Sequence, residues 1–381
     1  MRHDGNMAFR GHGLITGPTG AGKSTVLRAL LDEPLMAPGD ERVQVYVLTS
    51  GRDRDWRPWA NWATRHAAEG DRVATLDSSA CRLAPFQTAR FLCQPDDDHA
   101  IWDPLGDLIM TVNLMLANQY PGETLRRGQK RQLRQAILTA AHQVEETDRH
   151  CRIQDVLDAL RTDQQGPDAL IQTLEAFCQG ALGEVFNAED TSLRWEADSD
   201  IVLIDPAGCC PKAPGTSRDA LEGLLMHDVV AHVQGLGGYE ADRDGRPRKR
   251  LVILDGFPSR PMQHGTSIFK RALARSRETG LSIWLGLKDR TVLDDTTWSR
   301  LSAYLGTYIG LPHGTPYWLE RELEQAERLG PHFDDRATSA LHRCLLNTSA
   351  REPWESSMGV LIDLAYGEAP ALFHLPDVEE T

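Results

Sequence analysis

The chain has no apolar run near the roughly 18 residues that a membrane-spanning helix needs, so any hold on a membrane is expected to come through a partner. Its seven cysteines form no CxxC pair and stand at no Cys/His ligand spacing, and its 13 histidines include no HExxH. Zinc chemistry therefore has little to build on, and the adjacent Cys209 and Cys210 are badly placed to share one ion. An odd cysteine count without a leader peptide points to a reducing cytoplasm, and Cys209-Cys210 reads as a turn beside Pro211 with no redox role. Positive charge is also short: 41 Lys and Arg face 55 Asp and Glu, a net charge of −14 over 381 residues. That balance excludes attraction of the whole surface to nucleic acid and leaves only local basic patches to bind it. Internal repeats and low-complexity tracts are absent, and the length suits one large core in one or two domains.

What the chain does have is a complete phosphate-binding loop, Gly17-Pro18-Thr19-Gly20-Ala21-Gly22-Lys23-Ser24-Thr25. Its glycines let successive backbone N–H groups turn inward around a β-phosphate. Lys23 is the candidate catalytic cation, reaching the β- and γ-oxygens, and the Ser24 hydroxyl is a candidate Mg²⁺ ligand. The setting agrees. Leu14-Ile15-Thr16 ends a short buried strand, and a helix opens at Lys23 with its N-terminal dipole toward the phosphates. A plain glycine turn between strand and helix is the bland alternative. The cofactors implied are ATP and Mg²⁺, with no base-reading motif to separate ATP from GTP.

Strand patterns follow at 43–48 and 72–76, with a Trp-rich amphipathic stretch at 56–68 between them. This βαβ rhythm predicts a parallel sheet. From about 98 to 183 the apolar spacing turns helical, with helices expected at 101–117, 123–145, 153–161 and 169–181. Strand signals return at 201–205, 251–255, 281–287 and 306–311, with helices at 217–236 and 267–278 among them. Helices at 317–329 and 335–346 then lead to a hairpin of 358–364 against 369–375. The expected architecture is α/β, a RecA-like phosphate-loop core with a mostly parallel central sheet and an all-α insertion. Residues 1–96 form the first part of the core, 97–184 the insertion and 185–381 the second part.

A phosphate loop also needs a carboxylate at the end of a buried strand to hold the metal's water shell. Two runs have that form, Leu251-Val252-Ile253-Leu254-Asp255 and Ile201-Val202-Leu203-Ile204-Asp205. Asp255 is preferred as the catalytic and metal-binding residue, because a helix and another strand follow it in the order of recombinase-like ATPases. The plain reading of either Asp is a turn cap after a core strand. Hydrolysis requires a further group to activate water, usually a Glu directly after the metal-binding Asp. That position is Gly256, which has no side chain, so binding with slow turnover is expected. Glu278 and Asp289 are the candidate substitutes.

The serial order of these pieces resembles the C-terminal motor domain of the conjugation ATPases of type IV secretion systems, the TraC and TrbE kind. "GPTGAGKS" corresponds to their phosphate loop, and "LAPF" at 83–86 resembles an Asn-Pro-Phe element ahead of their helical insertion. "GALGEVFNAEDTSLRWEADSDIVLIDPAG" resembles the segment that returns to the core, and "LVILDGFPS" sits where the family has an Asp-Glu pair and a bulky aromatic. "LARSRETGLSIWLGLKD" and "TYIGLPHG" are similar to later core strands. Three departures stand out: Gly256 for the catalytic Glu, Lys288 for a sensing Gln, and Phe257-Pro258 for the aromatic. The resemblance implies a ring, in the family a hexamer, in the cytoplasm and peripheral at the inner membrane through membrane-embedded channel components. DNA is a further partner that it admits. The family also carries a large N-terminal docking domain. With 16 residues before Gly17, the chain is expected to be a motor-domain fragment or a stand-alone relative.

Ring ATPases complete each site with an arginine from the neighbouring subunit. Arg271, Arg275 and Arg277 precede the strand at 281–287, and by the resemblance Arg277 is the candidate catalytic finger; cations favoured by a helix C-terminus are the plain reading. Lys288, at a strand end, is a candidate γ-phosphate contact or a solvated lysine. Arg126, Arg127, Lys130, Arg131 and Arg134 span an arc of about 140° on one helix. They suit DNA phosphates, an acidic partner or simple solvation. The basic stretch 243–250 (RDGRPRKR) reads as a mobile loop with no assigned ligand.

Overall fold

The computed structural model describes residues 11–36, 43–49, 53–76, 81–92, 104–145, 147, 149–162, 168–188, 199–205, 209–210, 218–239, 249–256, 272–273, 280–288, 304–311, 358–363 and 371–374. The helices expected at 317–329 and 335–346 lie outside them. The strands are β1 (His12–Thr16), β2 (Val43–Thr49), β3 (Val73–Leu76), β4 (Ile201–Ile204), β5 (Lys249–Asp255), β6 (Leu281–Leu287), β7 (Leu305–Gly310), β8 (Met358–Asp363) and β9 (Ala371–His374). The helices are α1 (Lys23–Met36), α2 (Asp53–Ala68), α3 (Pro104–Gln119), α4 (Arg127–Glu145), α5 (Ile153–Thr162), α6 (Asp168–Cys178), α7 (Gly180–Phe186) and α8 (Arg218–Tyr239).

One sheet holds the described strands in the order β3-β4-β2-β5-β6-β1-β7-β8-β9. The first seven run parallel, and β8 and β9 add an antiparallel edge to β7. The central strands read as continuous apolar runs because helices cover both of their faces. Alternation along each strand sorts side chains between two cores. Ile15, Val45, Val47, Leu251, Ile253 and Trp284 pack with α1 and α2, notably Leu27, Leu31, Trp59 and Trp62. Leu14, Tyr46, Leu48, Val252, Leu254 and Leu285 point the other way, into a core shared with α8 and the helices of 104–186.

Two expectations need correction here. The basic stretch ending at Arg250 is not a loop to its end: β5 begins at Lys249, and Arg250 is buried with its Nε donating to Gln44 Oε1 at 3.2 Å. A charged residue can lie there because strand pairing with β6 fixes its backbone and Gln44 meets its head. The helix expected over 169–181 is two, α6 and α7. The chain breaks at Gln179, which is extended, and Gly180 takes a positive φ of 55°.

Cys209 also departs from the reading as a turn residue with no redox role in a chain of reduced cysteines. It is bonded to Cys81, with Cα atoms 5.1 Å apart, and both are buried. The bridge ties the chain after β3 to the chain after β4. Nearby, the Leu83 N–H donates to the Val185 carbonyl at 2.5 Å, which joins the chain ahead of the helices of 104–186 to the last of them.

Two buried ionisable groups accompany this packing. His12 lies between strands, its Nδ1 accepting from the Ile283 N–H at 3.0 Å and its Nε2 donating to the Leu273 carbonyl at 3.1 Å. Burial lowers its pKa to about 4, against the pull of the Leu273 bond. Asp228, on α8, is buried in the opposite sense: desolvation pushes its pKa up to about 7 from 3.8. An acid that holds its proton in the fold but loses it when unfolded makes stability fall as pH rises from about 4 to 7. Asp228→Asn is therefore expected to stabilise the fold at pH 8, by at most ~4 kcal/mol, seen as a higher urea midpoint, and to leave the midpoint nearly unchanged near pH 4. Paired denaturation curves at the two pH values check this.

Candidate nucleotide site

Gly17–Thr25 forms a tight turn between β1 and α1. The Gly17 N–H donates to the Leu287 carbonyl at 3.2 Å, and the Ala21 N–H to the Pro18 carbonyl at 3.1 Å. Gly20 and Gly22 adopt φ of 88° and 89°, a region that a side chain would strain. Thr19 and Gly20 are exposed at the crest, Pro18 and residues 21–25 are half-buried, and Gly17 is buried. Lys23 folds back across the loop, its Nζ donating to the carbonyls of Gly17 at 2.7 Å and Pro18 at 2.9 Å. The ammonium thus rests on the first two carbonyls of the loop it would share with a phosphate.

The structure separates the two candidate acids. Asp205 follows β4, which lies four strands from β1, a distance of about 19 Å at ordinary strand spacing. Asp255 ends β5, two strands from β1, and its Oδ2 accepts from the Ser24 hydroxyl at 2.5 Å. The strand between them is β6, whose Gly286 stands in register with both Asp255 and Ile15. A Cβ at 286 would lie 2.7 Å from Asp255 Oδ1, so the missing side chain is what lets the carboxylate reach across. The pairing fits a divalent cation: a hydroxyl and a buried carboxylate share one edge of the loop, both oxygen donors of the kind Mg²⁺ takes.

Trp59 went unmarked by sequence reasoning. Its indole Nε1–H donates to the same Asp255 Oδ2 at 2.8 Å from a fully buried position on α2. Arg28, one turn beyond Ser24, donates from Nε to the Ser24 carbonyl at 3.2 Å and from Nη1 to the Pro58 carbonyl at 2.9 Å. Burial lowers the Arg28 pKa, and the Asp255 charge opposes that. The sequence signal was a Trp-rich amphipathic helix, which reads as core.

Lys288 follows β6 directly, exposed beside the loop that Leu287 anchors. Gly256 has a φ of 72° and is exposed, its N–H donating to the Gly286 carbonyl at 2.9 Å. The backbone after Asp255 therefore turns through the left-handed region that favours glycine. Arg271, Arg275, Arg277, Glu278 and Asp289 lie outside the described residues. Arg126, Arg127, Lys130, Arg131 and Arg134 are all exposed at the start of α4, far in sequence from the loop. No His, Cys, Asp and Glu cluster suited to a metal occurs among the described residues, and none of their helices is long and apolar enough to cross a membrane.

Sheet order, loop and acid together define the class, an α/β phosphate-loop protein with a RecA-like fold. No protein-family model and no curated protein matches the sequence. Among solved structures, VirB4 of Thermoanaerobacter pseudethanolicus is similar, with a TM-score of 0.62 over 96% of this chain and 89% of that one. Sequence identity is 15%, so the likeness is one of fold.

The crossing at Gly286 carries a prediction. Gly286→Ala is expected to displace the Asp255 carboxylate and lower stability by about 1–3 kcal/mol, the usual range for an overpacked site. A shifted urea midpoint with an unchanged slope checks it.

Proposed function

We propose that the chain is a P-loop ATPase motor of a conjugative type IV secretion system, working in the cytoplasm as a ring, by analogy a hexamer. It would power assembly of the channel or pilus, or transport through it, docked at the inner membrane on membrane-embedded channel components. The observation that carries the nucleotide part is the Ser24–Asp255 contact, which brings together from 231 positions apart two side chains that would hold Mg²⁺. The fold shared with VirB4 supports the secretion part.

In this reading Gly17–Thr25 wraps the phosphates, and Lys23 leaves the Gly17 and Pro18 carbonyls for the phosphate oxygens. Ser24 and Asp255 hold the metal. Bound Mg²⁺ would neutralise charge on the β- and γ-phosphates. Lys288, exposed directly after β6, would approach the same phosphates, and Arg277 of a neighbouring subunit would complete the site. A second reading, an ATP-binding scaffold that hydrolyses little, is favoured by Gly256. A third, a DNA-translocating motor of the HerA, FtsK or coupling-protein kind, draws on the exposed cations of α4. That reading is supported only if DNA stimulates turnover.

Lys23→Ala is expected to weaken binding of a fluorescent ATP analogue at least tenfold, measured by anisotropy in MgCl₂. Phosphate release by the unmutated chain should be slow. Gly256→Glu should not accelerate it, because a side chain at that positive φ costs about 1–2 kcal/mol and does not point where a Glu on ordinary strand backbone would. A faster Gly256→Glu chain in a steady-state phosphate assay would refute the backbone argument and favour a simple loss of the base.

A further inference from the structure

The metal-binding pair sits inside a closed ring of contacts. Ser24 Oγ donates to Asp255 Oδ2 at 2.5 Å, and Trp59 Nε1 donates to the same oxygen at 2.8 Å. Pro58, the residue before Trp59, accepts from Arg28 Nη1 at 2.9 Å, and Arg28 Nε returns to the Ser24 carbonyl at 3.2 Å. Helices α1 and α2 are thereby locked to each other and to the end of β5 around one carboxylate oxygen.

The two donors on that oxygen are not equivalent. A serine hydroxyl can donate a proton and also offer lone pairs, so Ser24 can serve a cation and keep its bond to Asp255. An indole N–H is a donor only and cannot ligate a metal. Trp59 is also immobile: it is fully buried and packs edge-on against Trp62, with ring centroids 5.4 Å apart. The far end of α2 is pinned as well, where Trp62 Nε1 donates to Asp32 Oδ1 at 2.8 Å and His66 bridges Asp32 and Asp71.

We propose that Trp59 is a positioning residue for the metal site, holding Asp255 Oδ2 in place whether or not a cation is bound, with Arg28 fixing the helix that carries it. This rests on the nucleotide-site reading above and adds to it a residue that touches neither phosphate nor metal. Its consequence is specific. Losing the indole N–H leaves the phosphate loop intact but frees the carboxylate to rotate, so the penalty falls on the metal-dependent part of binding.

The test measures binding of a fluorescent ATP analogue by anisotropy, first in EDTA and then across a MgCl₂ titration. Trp59→Phe is expected to raise the Mg²⁺ midpoint about tenfold and to leave affinity in EDTA unchanged. Trp62→Phe keeps a ring against Trp59 and loses only the indole bond to Asp32, which His66 still contacts, so it should leave the Mg²⁺ midpoint where it is. Arg28→Lys keeps the charge near Asp255 and loses the fork, and it should raise the midpoint about threefold. It serves as the readout should Trp59→Phe not fold. Equal shifts in Trp59→Phe and Trp62→Phe, or no shift in either Trp59→Phe or Arg28→Lys, would overturn the proposal while nucleotide binding stands. An unmutated chain that binds no analogue, with or without Mg²⁺, would overturn the nucleotide reading and this inference with it.

Discussion

Asp255 has to cross a strand to reach Ser24, and the rest of the site is arranged around that crossing. β6 lies between the strand that carries the acid and the strand that feeds the phosphate loop. Gly286 opens the path at the matching register position. Alternation then decides the face: Leu251, Ile253 and Asp255 lie on the side of α1 and α2, so the acid emerges beside Ser24 and beneath Trp59. A one-residue slip of β5 would turn the carboxylate into the opposite core.

The same sheet explains the division of labour between its faces. The α1/α2 side is compact and aromatic, with Trp59, Trp62 and Trp284 among its buried side chains, and it supports the site. The other side takes α8 and the helices of 104–186 into one continuous core. The Cys81–Cys209 bridge links the chain before that helical segment to the chain after β4, and the Leu83–Val185 backbone bond links it to α7. Polar groups are buried on this side too, Asp228 among them.

Much of the framework was legible because it rests on local patterns. The strands at 43–48, 251–255 and 281–287 showed as β-branched and aliphatic runs, and the loop showed as a motif whose residues are adjacent in sequence. The break at Gln179 was hidden inside a continuous apolar period. The start of β5 was masked by Lys249 and Arg250, since propensity treats a basic run as a loop while sheet pairing and the Gln44 contact accept it. The Cys81–Cys209 pairing, across 128 positions, had no local signal at all.

The sequence by itself determined the phosphate loop, the parallel α/β character and the absence of a side chain after Asp255, because each depends on neighbours along the chain. Only the tertiary structure put Asp255, and not Asp205, beside Ser24, since the two runs are chemically alike and differ in where the strand order puts them. It alone turned Trp59 from a core aromatic into a donor on the acid, and Gly286 from a strand glycine into an opening. Those are contacts between distant segments, fixed by register and helix packing rather than by any adjacent pattern.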